Sequence, residues 1–566
     1  MNREPSQQAG SGHDGVTRRA FMGTTLAGGA ALLTGGITAL LQTASAATLG
    51  HDGPILEATI PELQALMSSG GLTSARLTQT YLERIAKLNP LLHAVIETNP
   101  DALAIAARLD AERQRGRLRG PLHGIPVLVK DNIATDDQME TTAGSLALVG
   151  SEVPADSVIV ARMRAAGAVI LGKANLSEWA NFRGFAPFNG WSARGGFTRD
   201  PYRLDFDPCG SSSGSGAAPA ANLCAAAVGT ETDGSVVCPA GNNLVVGLKP
   251  TVGLVSQDGI IPISHSQDTA GPMCRTVTDA AIMLGVMQSP FGEVIGHKVP
   301  RDYTQFLRRG SLRGARIGMD KRYFTPSYGG EDDLIDVIEP AIEVMQRLGA
   351  TVVRTDTGDS NAYFDAEFTV LLFEFKVQIA EYLSTLGNTS IRTLADLIAF
   401  DLANCPQEMK YFGQEIFELA EATSGDLTDP EYLAARALCL QLSRVEGIDK
   451  ALERQNLDAI IAPSYSFAST PAAVAGYPNI SIPIGLTSKG KPAGIWMYST
   501  FLREPQLLGF AYDLEQEIHP RSAPAFLGHV PPEPPDAGIC DMARPQTAPA
   551  SRRLLRHLGT GKLLPR

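Results

Sequence analysis

Two short segments rich in serine and glycine carry the residues best suited to chemistry in this chain. Residues 209–216 read C-G-S-S-S-G-S-G, and residues 229–235 read G-T-E-T-D-G-S. One interpretation is a flexible linker. The other is a catalytic floor, where glycine lets backbone N–H groups and a serine approach a substrate closely. A serine nucleophile also needs a base that takes its proton and later returns it to the leaving group.

The base that activates the serine could be a histidine or a lysine, and the two imply different mechanisms. Of the nine histidines, only His123 and His265 lie beside these segments, and neither has an evident aspartate to orient it. Lys130 ends the apolar run G-I-P-V-L-V-K, and burial among apolar neighbours lowers the proton affinity of a lysine. The alternative is an exposed Lys130 paired with Asp131, and the spacing favours neither interpretation.

Three longer segments resemble the amidase signature family. They are PLHGIPVLVKDNI (121–133), GSSSGSGAAPAAN (210–222) and GTETDGSVVCPAGNNLVVGLKPT (229–251). Ser211 and Ser235 lie 24 residues apart, which matches the fixed interval between the two serines of that family. The resemblance extends over roughly residues 55–520 and disfavours the linker interpretation.

Within that family, the chain is similar to the bacterial peptide amidases. It shares with them ANLSEWANFRG (174–184), SQDTAGPM (266–273) and an aspartate at position 233, where most of the wider family has glycine. Peptide amidases remove ammonia from the C-terminal carboxamide of a peptide. The resemblance therefore implies a peptide amide as the substrate.

The resemblance also implies a Ser-(cis)Ser-Lys triad. Ser235 would be the nucleophile, Ser211 the bridging serine preceded by a cis peptide bond, and Lys130 the base. Neutral Lys130 would draw a proton from Ser235 through Ser211, and the same relay would protonate the departing ammonia. The oxyanion hole would consist of the backbone N–H groups of Thr232, Asp233, Gly234 and Ser235. Neither a metal nor an organic cofactor is implied.

Four further residues have candidate supporting roles. The hydroxyls of Ser212 and Thr230 are expected to satisfy polar groups in a buried floor. Asp268 is expected to fix a loop beside the site rather than to perform chemistry. Trp191 is predicted either to line the substrate cleft or to pack in the core.

Other functions remain compatible with parts of the sequence. G-S-S-S-G also satisfies the G-x-S-x-G nucleophile elbow of α/β-hydrolases, with Ser212 as nucleophile, but the preceding TRDPYRLDFDPC reads as a loop rather than a strand. The family resemblance equally covers enzymes that act on small aryl or alkyl amides, and amidotransferase subunits that pass ammonia to an aminoacyl-tRNA. An exported binding protein with a degenerate site is disfavoured, because all three triad residues are present.

The elements that position these residues alternate between helix and strand. Apolar runs at 124–132, 169–174 and four later segments predict buried strands, and helical periodicity separates them. This alternation predicts an α/β fold in one large domain over residues 47–525. Its central sheet is expected to be mixed and mainly parallel, twisted, and covered by helices on both faces.

Both termini differ from this domain. Residues 1–46 contain Thr17-Arg18-Arg19, a weakly apolar run and a small-residue cleavage site after Ala46, which predicts a twin-arginine export signal. A retained membrane anchor is the alternative. We therefore expect a periplasmic or secreted protein without stable membrane insertion. Residues 526–566 are rich in proline and then basic, which predicts a disordered tail.

The overall charge and the cysteine spacing disfavour two kinds of function, nucleic-acid binding and metal binding through cysteines. The net charge of −12 argues against a nucleic-acid partner, which would require a basic face. The seven cysteines show no metal-binding spacing and predict scattered core thiols, with room for one disulfide. Oligomeric state is not indicated by any feature of the sequence.

Overall fold

In the computed structural model, residues 55–288, 293–294, 296–325 and 332–542 are described. The export signal predicted for residues 1–46 and the end of the basic tail lie outside them. The strands are β1 Val95–Thr98, β2 Pro126–Lys130, β3 Val169–Ala174, β4 Trp191–Ser192, β5 Gly196–Phe197, β6 Ala226–Glu231, β7 Val246–Lys249, β8 Thr269–Cys274, β9 Glu293–Val294, β10 His297–Lys298, β11 Arg316–Asp320, β12 Thr351–Thr355, β13 Ala459–Pro463, β14 Asn479–Leu486 and β15 Pro492–Tyr498.

A capping box opens α1, Ile60–Ser68: the hydroxyl of Thr59 accepts a hydrogen bond from the N–H of Glu62, and the carboxylate of Glu62 accepts one from the N–H of Thr59. The helices are α1 Ile60–Ser68, α2 Ser74–Leu92, α3 Ala102–Gln114, α4 Val158–Ala165, α5 Ser213–Ala220, α6 Val237–Asn242, α7 Val277–Met287, α8 Asp332–Arg347, α9 Phe364–Thr385, α10 Leu394–Ala403, α11 Cys405–Glu408, α12 Glu415–Glu421, α13 Pro430–Leu440, α14 Asp449–Gln455, α15 Ser469–Ala475, α16 Glu504–Ile518 and α17 Ile539–Met542.

One sheet of eleven strands organises the domain, in the order β1-β3-β2-β6-β8-β7-β14-β15-β13-β11-β12. The sheet is mixed, as expected. Within the described residues, however, only four of its ten strand pairings are parallel, β3–β2–β6 at one end and β13–β11–β12 at the other. Short connections such as the one from β14 to β15 force antiparallel pairing in the centre, so parallel pairs do not predominate.

The strands that carry the site are buried along their whole length. All five residues of β2 and all six of β6 are buried, which explains why β2 is an apolar run up to Lys130 and why β6 begins with Ala226, Ala227 and Val228. β2 pairs in parallel with β6, with Val129 opposite Val228. This pairing brings the end of β2, at Lys130, beside Thr230 near the end of β6.

The C-terminal segment departs from the expectation of a disordered tail. Residues 526–542 lie against the domain: Leu527 exchanges backbone hydrogen bonds with Tyr202 and Leu204, each at 2.9 Å. A disulfide joins Cys540 to Cys405, and the N–H of Ala537 donates to the carbonyl of Lys410 at 2.9 Å. A proline-rich composition disfavours helix and strand, but it does not prevent an extended segment from being tied down by such links.

The cysteines also differ from the expectation of scattered thiols. Two disulfides form, Cys209–Cys238 and Cys405–Cys540, and Cys224, Cys274 and Cys439 are free and buried. The first disulfide joins residues separated by 29 positions and the second joins residues separated by 135. The sequence offered no pairing signal, because each partner becomes a neighbour only through the tertiary fold.

Candidate active site

Lys130 is fully buried at the end of β2. Its Nζ donates hydrogen bonds to Ser211 Oγ at 2.8 Å, to Thr230 Oγ1 at 2.9 Å and to the carbonyl of Thr230 at 3.3 Å. Asp131 instead forms an ion pair with Arg194 and accepts a hydrogen bond from the N–H of Gly144. The alternative of an exposed lysine paired with Asp131 is therefore wrong.

This burial sets the protonation of Lys130. Desolvation lowers the pKa of its ammonium group to about 7, while the negative charges of Asp268 and Glu231 oppose that change only in part. A substantial neutral fraction therefore exists near pH 7, and a neutral amine is able to accept a proton.

The segment that follows Cys209 presents two serines in different ways. The peptide bond between Gly210 and Ser211 is cis. Ser211 is fully buried and lies against Lys130. The hydroxyl of Ser212 donates to the carbonyl of Thr230 at 2.9 Å and accepts from its N–H at 3.1 Å, so Ser212 joins this segment to β6.

Ser235 lies in the turn between β6 and α6. Its carbonyl accepts a hydrogen bond from the N–H of Ser212 at 3.2 Å, which places the two serine-bearing segments side by side. Gly234 adopts φ +80°, a conformation that favours glycine. Ser235 retains 9% exposure and lines a cavity together with Thr232, Asp233 and Gly234.

A buried carboxylate that sequence reasoning missed organises this turn. Oε2 of Glu231 accepts hydrogen bonds from the N–H groups of Val236 at 2.7 Å and Val237 at 3.0 Å. Burial raises the pKa of Glu231, and the charge of Lys249 partly opposes that rise. Glu231 stands in the G-T-E-T-D-G-S motif itself, so its position before a tight turn was the available signal.

Asp268 holds two loops together beside the site. Its carboxylate accepts hydrogen bonds from Thr232 Oγ1 at 2.6 Å and from the N–H groups of Ile263 at 2.8 Å and Ser264 at 2.9 Å. Burial raises the pKa of Asp268 to about 6. The contact with Thr232 connects this carboxylate to the turn that carries Ser235.

The cavity above Ser235 has a volume of about 200 Å³. One face of α9 contributes Phe364, Glu367, Phe368 and Leu371, at the spacing that places residues on one side of a helix. The opposite walls contain further apolar side chains, namely Phe182, Ile263, Ile416, Phe467 and Trp496. The cavity therefore suits a substrate with a sizeable apolar group.

Two carboxyl groups also line this cavity. Asp233 Oδ2 accepts a hydrogen bond from Thr470 Oγ1 at 2.7 Å, and Gln267 donates to Glu367 Oε1 at 2.9 Å. Burial raises the pKa of both groups, and the charge of Asp233 adds to the rise at Glu367. Glu367 was not predicted, because it lies on a distant helix with no motif around it.

Trp191 does not line the cavity, so the expectation that it contacts substrate is wrong. Its ring packs at right angles to Tyr411 and Phe412, with 5.3 Å between ring centroids in each case. The guanidinium of Arg183 lies 5.8 Å from its ring centroid. These contacts give Trp191 the core position that was the other prediction.

Comparison with known proteins agrees with this geometry. The family model described as Amidase matches residues 76–470. The chain belongs to the amidase family.

Relatives of this amidase cover most of its length. A probable amidase of Arabidopsis thaliana is 42% identical over 86% of this chain and 94% of the relative. The solved structure of the native peptide amidase from Stenotrophomonas maltophilia is 49% identical, with a TM-score of 0.78 over 84% of this chain and 99% of that one. A subunit of the glutamyl-tRNA(Gln) amidotransferase of Thermosynechococcus vestitus is 33% identical over 81% of this chain and 97% of that subunit. The protein is thus a hydrolase of the kind that acts on amides.

Proposed function

We propose that this amidase hydrolyses the C-terminal carboxamide of peptides through a Ser-(cis)Ser-Lys triad of Ser235, Ser211 and Lys130. The observation that carries the proposal is the hydrogen bond of 2.8 Å from Lys130 to Ser211, in a place where Lys130 is fully buried. A buried amine with a pKa of about 7 is well matched to a base that works near neutral pH.

In the proposed first step, neutral Lys130 accepts the hydroxyl proton of Ser211 while Ser211 accepts that of Ser235. Ser235 Oγ then attacks the amide carbonyl and forms a tetrahedral intermediate. The relay runs backwards to protonate the amide nitrogen, and ammonia leaves. A water molecule attacks the acyl-enzyme by the same route and releases the free carboxylate.

The turn between β6 and α6 is suited to stabilise the oxyanion. Thr232, Asp233, Gly234 and Ser235 line the cavity, and Glu231 fixes the residues that follow them. Fixed backbone donors of this kind stabilise the developing negative charge without reorganisation during the reaction. The proposal assigns this role to the backbone N–H groups of those four residues.

The apolar walls of the cavity support a peptide amide over the alternatives within the family. A small polar amide such as a glutamine side chain offers little apolar surface to Phe364, Phe368 and Leu371. A peptide residue with an apolar side chain would fill this space. The 49% identity with a peptide amidase supports the same choice. Small aryl or alkyl amides remain the second substrate class.

The geometry around Ser212 speaks against an α/β-hydrolase mechanism. Ser212 is fully buried, and its hydroxyl both donates to and accepts from the backbone of Thr230. A nucleophile must instead face the substrate. In this proposal Ser212 and Thr230 therefore stabilise the backbone beneath the triad. Asp268 fixes the loops beside the triad.

Export by the twin-arginine pathway to the periplasm or beyond is part of the proposal. Its support is the export signal predicted for residues 1–46 together with the two disulfides, because disulfides persist in oxidising compartments. No helix among the described residues is long and apolar enough to cross a membrane.

Ammonia release from a panel of amides tests the substrate. The panel contains peptide carboxamides with an apolar or a charged C-terminal residue, glutamine, and simple aryl and alkyl amides. We expect the largest kcat/KM for peptide carboxamides with an apolar C-terminal residue. A preference for the small amides or for glutamine would overturn the peptide assignment while leaving the triad intact, and Ser235→Ala controls for background hydrolysis.

A further inference from the structure

The Cys209–Cys238 disulfide joins the two segments that carry the proposed serines. Cys209 immediately precedes Gly210 and Ser211, and Cys238 stands three residues after Ser235, with 5.9 Å between the two Cα atoms. The loop that this bond closes contains Ser211, Thr230 and Ser235. Both residues whose side chains accept hydrogen bonds from Lys130, and the proposed nucleophile, therefore lie within one covalent ring.

Among the described residues, two side-chain hydrogen bonds also hold residues 207–209 against the end of α6. The side chains of Asn242 and Asn243 donate to the carbonyls of Asp207 and Pro208, each at 2.9 Å. Both bonds join residues 207–209 to the C-terminal end of α6. The disulfide joins them to its first turn, next to Ser235. The two serine-bearing segments are also joined by the backbone hydrogen bond of 3.2 Å from Ser212 to Ser235 and by the two hydrogen bonds between the Ser212 hydroxyl and the backbone of Thr230.

The backbone at Cys209 needs such support. Its φ of +57° lies in the left-handed region, which residues other than glycine adopt uncommonly. Local hydrogen bonds hold it from both sides: its N–H donates to Asp207 at 2.7 Å, and its carbonyl accepts from Ser213 at 2.6 Å. The disulfide adds a covalent link between this conformation and the nucleophile's segment.

From this arrangement we propose that the Cys209–Cys238 disulfide is a positioning device that sets the distance between Ser211 and Ser235. The inference rests on the proposed roles of those two serines. Both cysteines also line the substrate cavity, although only 1% of Cys209 and 2% of Cys238 is exposed, so the bond faces the substrate side. Reduction would convert the disulfide to two thiols and allow Ser211 and Ser235 to move relative to each other. A phosphine would supply the two electrons and, with the oxygen atom of one water molecule, become the phosphine oxide.

The Cys405–Cys540 disulfide provides a matched control. It closes a longer loop, and neither of its cysteines lines the cavity. In a Cys405→Ser/Cys540→Ser variant of the full chain, the only disulfide among the described residues is Cys209–Cys238, so a water-soluble phosphine acts on that bond alone. The complementary Cys209→Ser/Cys238→Ser variant tests the same link without a reductant.

The experiment measures kcat and KM for a peptide carboxamide and the rate of Ser235 labelling by a fluorophosphonate, before and after reduction and after reoxidation with glutathione disulfide. We expect kcat and the labelling rate to fall about tenfold or more, because small misplacements of reacting groups are costly. KM should change less than about threefold. Reoxidation should restore the rate, and the Cys209→Ser/Cys238→Ser variant should match the reduced state.

Two results would overturn the inference. One is a fully reduced protein, verified by mass, that turns over at the oxidised rate. The other is loss of near-ultraviolet circular dichroism together with activity, since the bond would then be required for the fold rather than for alignment. If the oxidised enzyme neither releases ammonia nor reacts with the fluorophosphonate, the proposed function fails and not the inference.

Discussion

Replacement of Lys130 by methionine tests the claim that this amine is neutral in the folded enzyme. Burial lowers its pKa from the ordinary 10.5 to about 7. The unfolded chain therefore binds more protons than the folded protein between these two values, and stability rises with pH across that window. Integrated from pH 7 to pH 9, Lys130 alone should add about 2 kcal/mol to the free energy of unfolding.

The assay is urea unfolding of the wild type and of Lys130→Met at pH 7 and pH 9. Lys173 and Lys249, whose pKa values burial lowers to about 8, contribute equally to both proteins, so the difference between the two proteins isolates Lys130. We expect this difference to change by about 2 kcal/mol in favour of the wild type at the higher pH. Identical pH dependence in both proteins would refute the reasoning. Turnover by Lys130→Met should be lower by at least about 100-fold at both values.

Three further changes have defined outcomes. In the wild type, kcat/KM should fall about tenfold for each pH unit below about 7 and level off above it. Asp268→Asn should move the midpoint of that profile to lower pH, because the charge of Asp268 raises the pKa of Lys130. Glu231→Ala removes the acceptor for two N–H groups at the start of α6, and steady-state kinetics should show kcat reduced about tenfold or more with KM little changed. The Cys405→Ser/Cys540→Ser variant frees a loop of 135 residues, so calorimetry should show a lower Tm, with up to about 5 kcal/mol lost, while kcat stays at the wild-type value. An unchanged pH midpoint, an unchanged kcat or an unchanged Tm, respectively, would contradict these expectations.

The apolar runs predicted to be strands correspond to β2, β3, β7, β11, β12 and β13, whereas β1, β6, β14 and β15 were not predicted. β2, predicted to end at Lys130, ends there. β8 escaped notice because its sequence, TAGPMC, contains glycine and proline, which disfavour strands in isolation. Gly271 is required at that point, since a Cβ would lie 2.0 Å from the carbonyl of Leu248 on the neighbouring strand. Tertiary packing therefore overrides the local preference.

The residues of the candidate site likewise fall into those that a local motif identifies and those that only tertiary packing brings to the site. Lys130, Ser211 and Ser235 stand in contiguous motifs, so the resemblance was enough to single them out. Glu367 and the partner of Cys209 are defined only by long-range packing and carry no local signal. Trp191 shows the reverse case, because this aromatic residue stands beside a motif yet packs with distant rings in the core, the second of the two positions predicted for it.

The most direct test of the proposed mechanism is the site and pH dependence of labelling by a fluorophosphonate, followed by mass spectrometry of the digested protein. We expect one modified residue, Ser235, with a labelling rate that rises with pH to a plateau above about 7 and is strongly reduced in Ser211→Ala. Modification of Ser212 instead, or labelling of Ser235 at an undiminished rate in Lys130→Met, would contradict the relay.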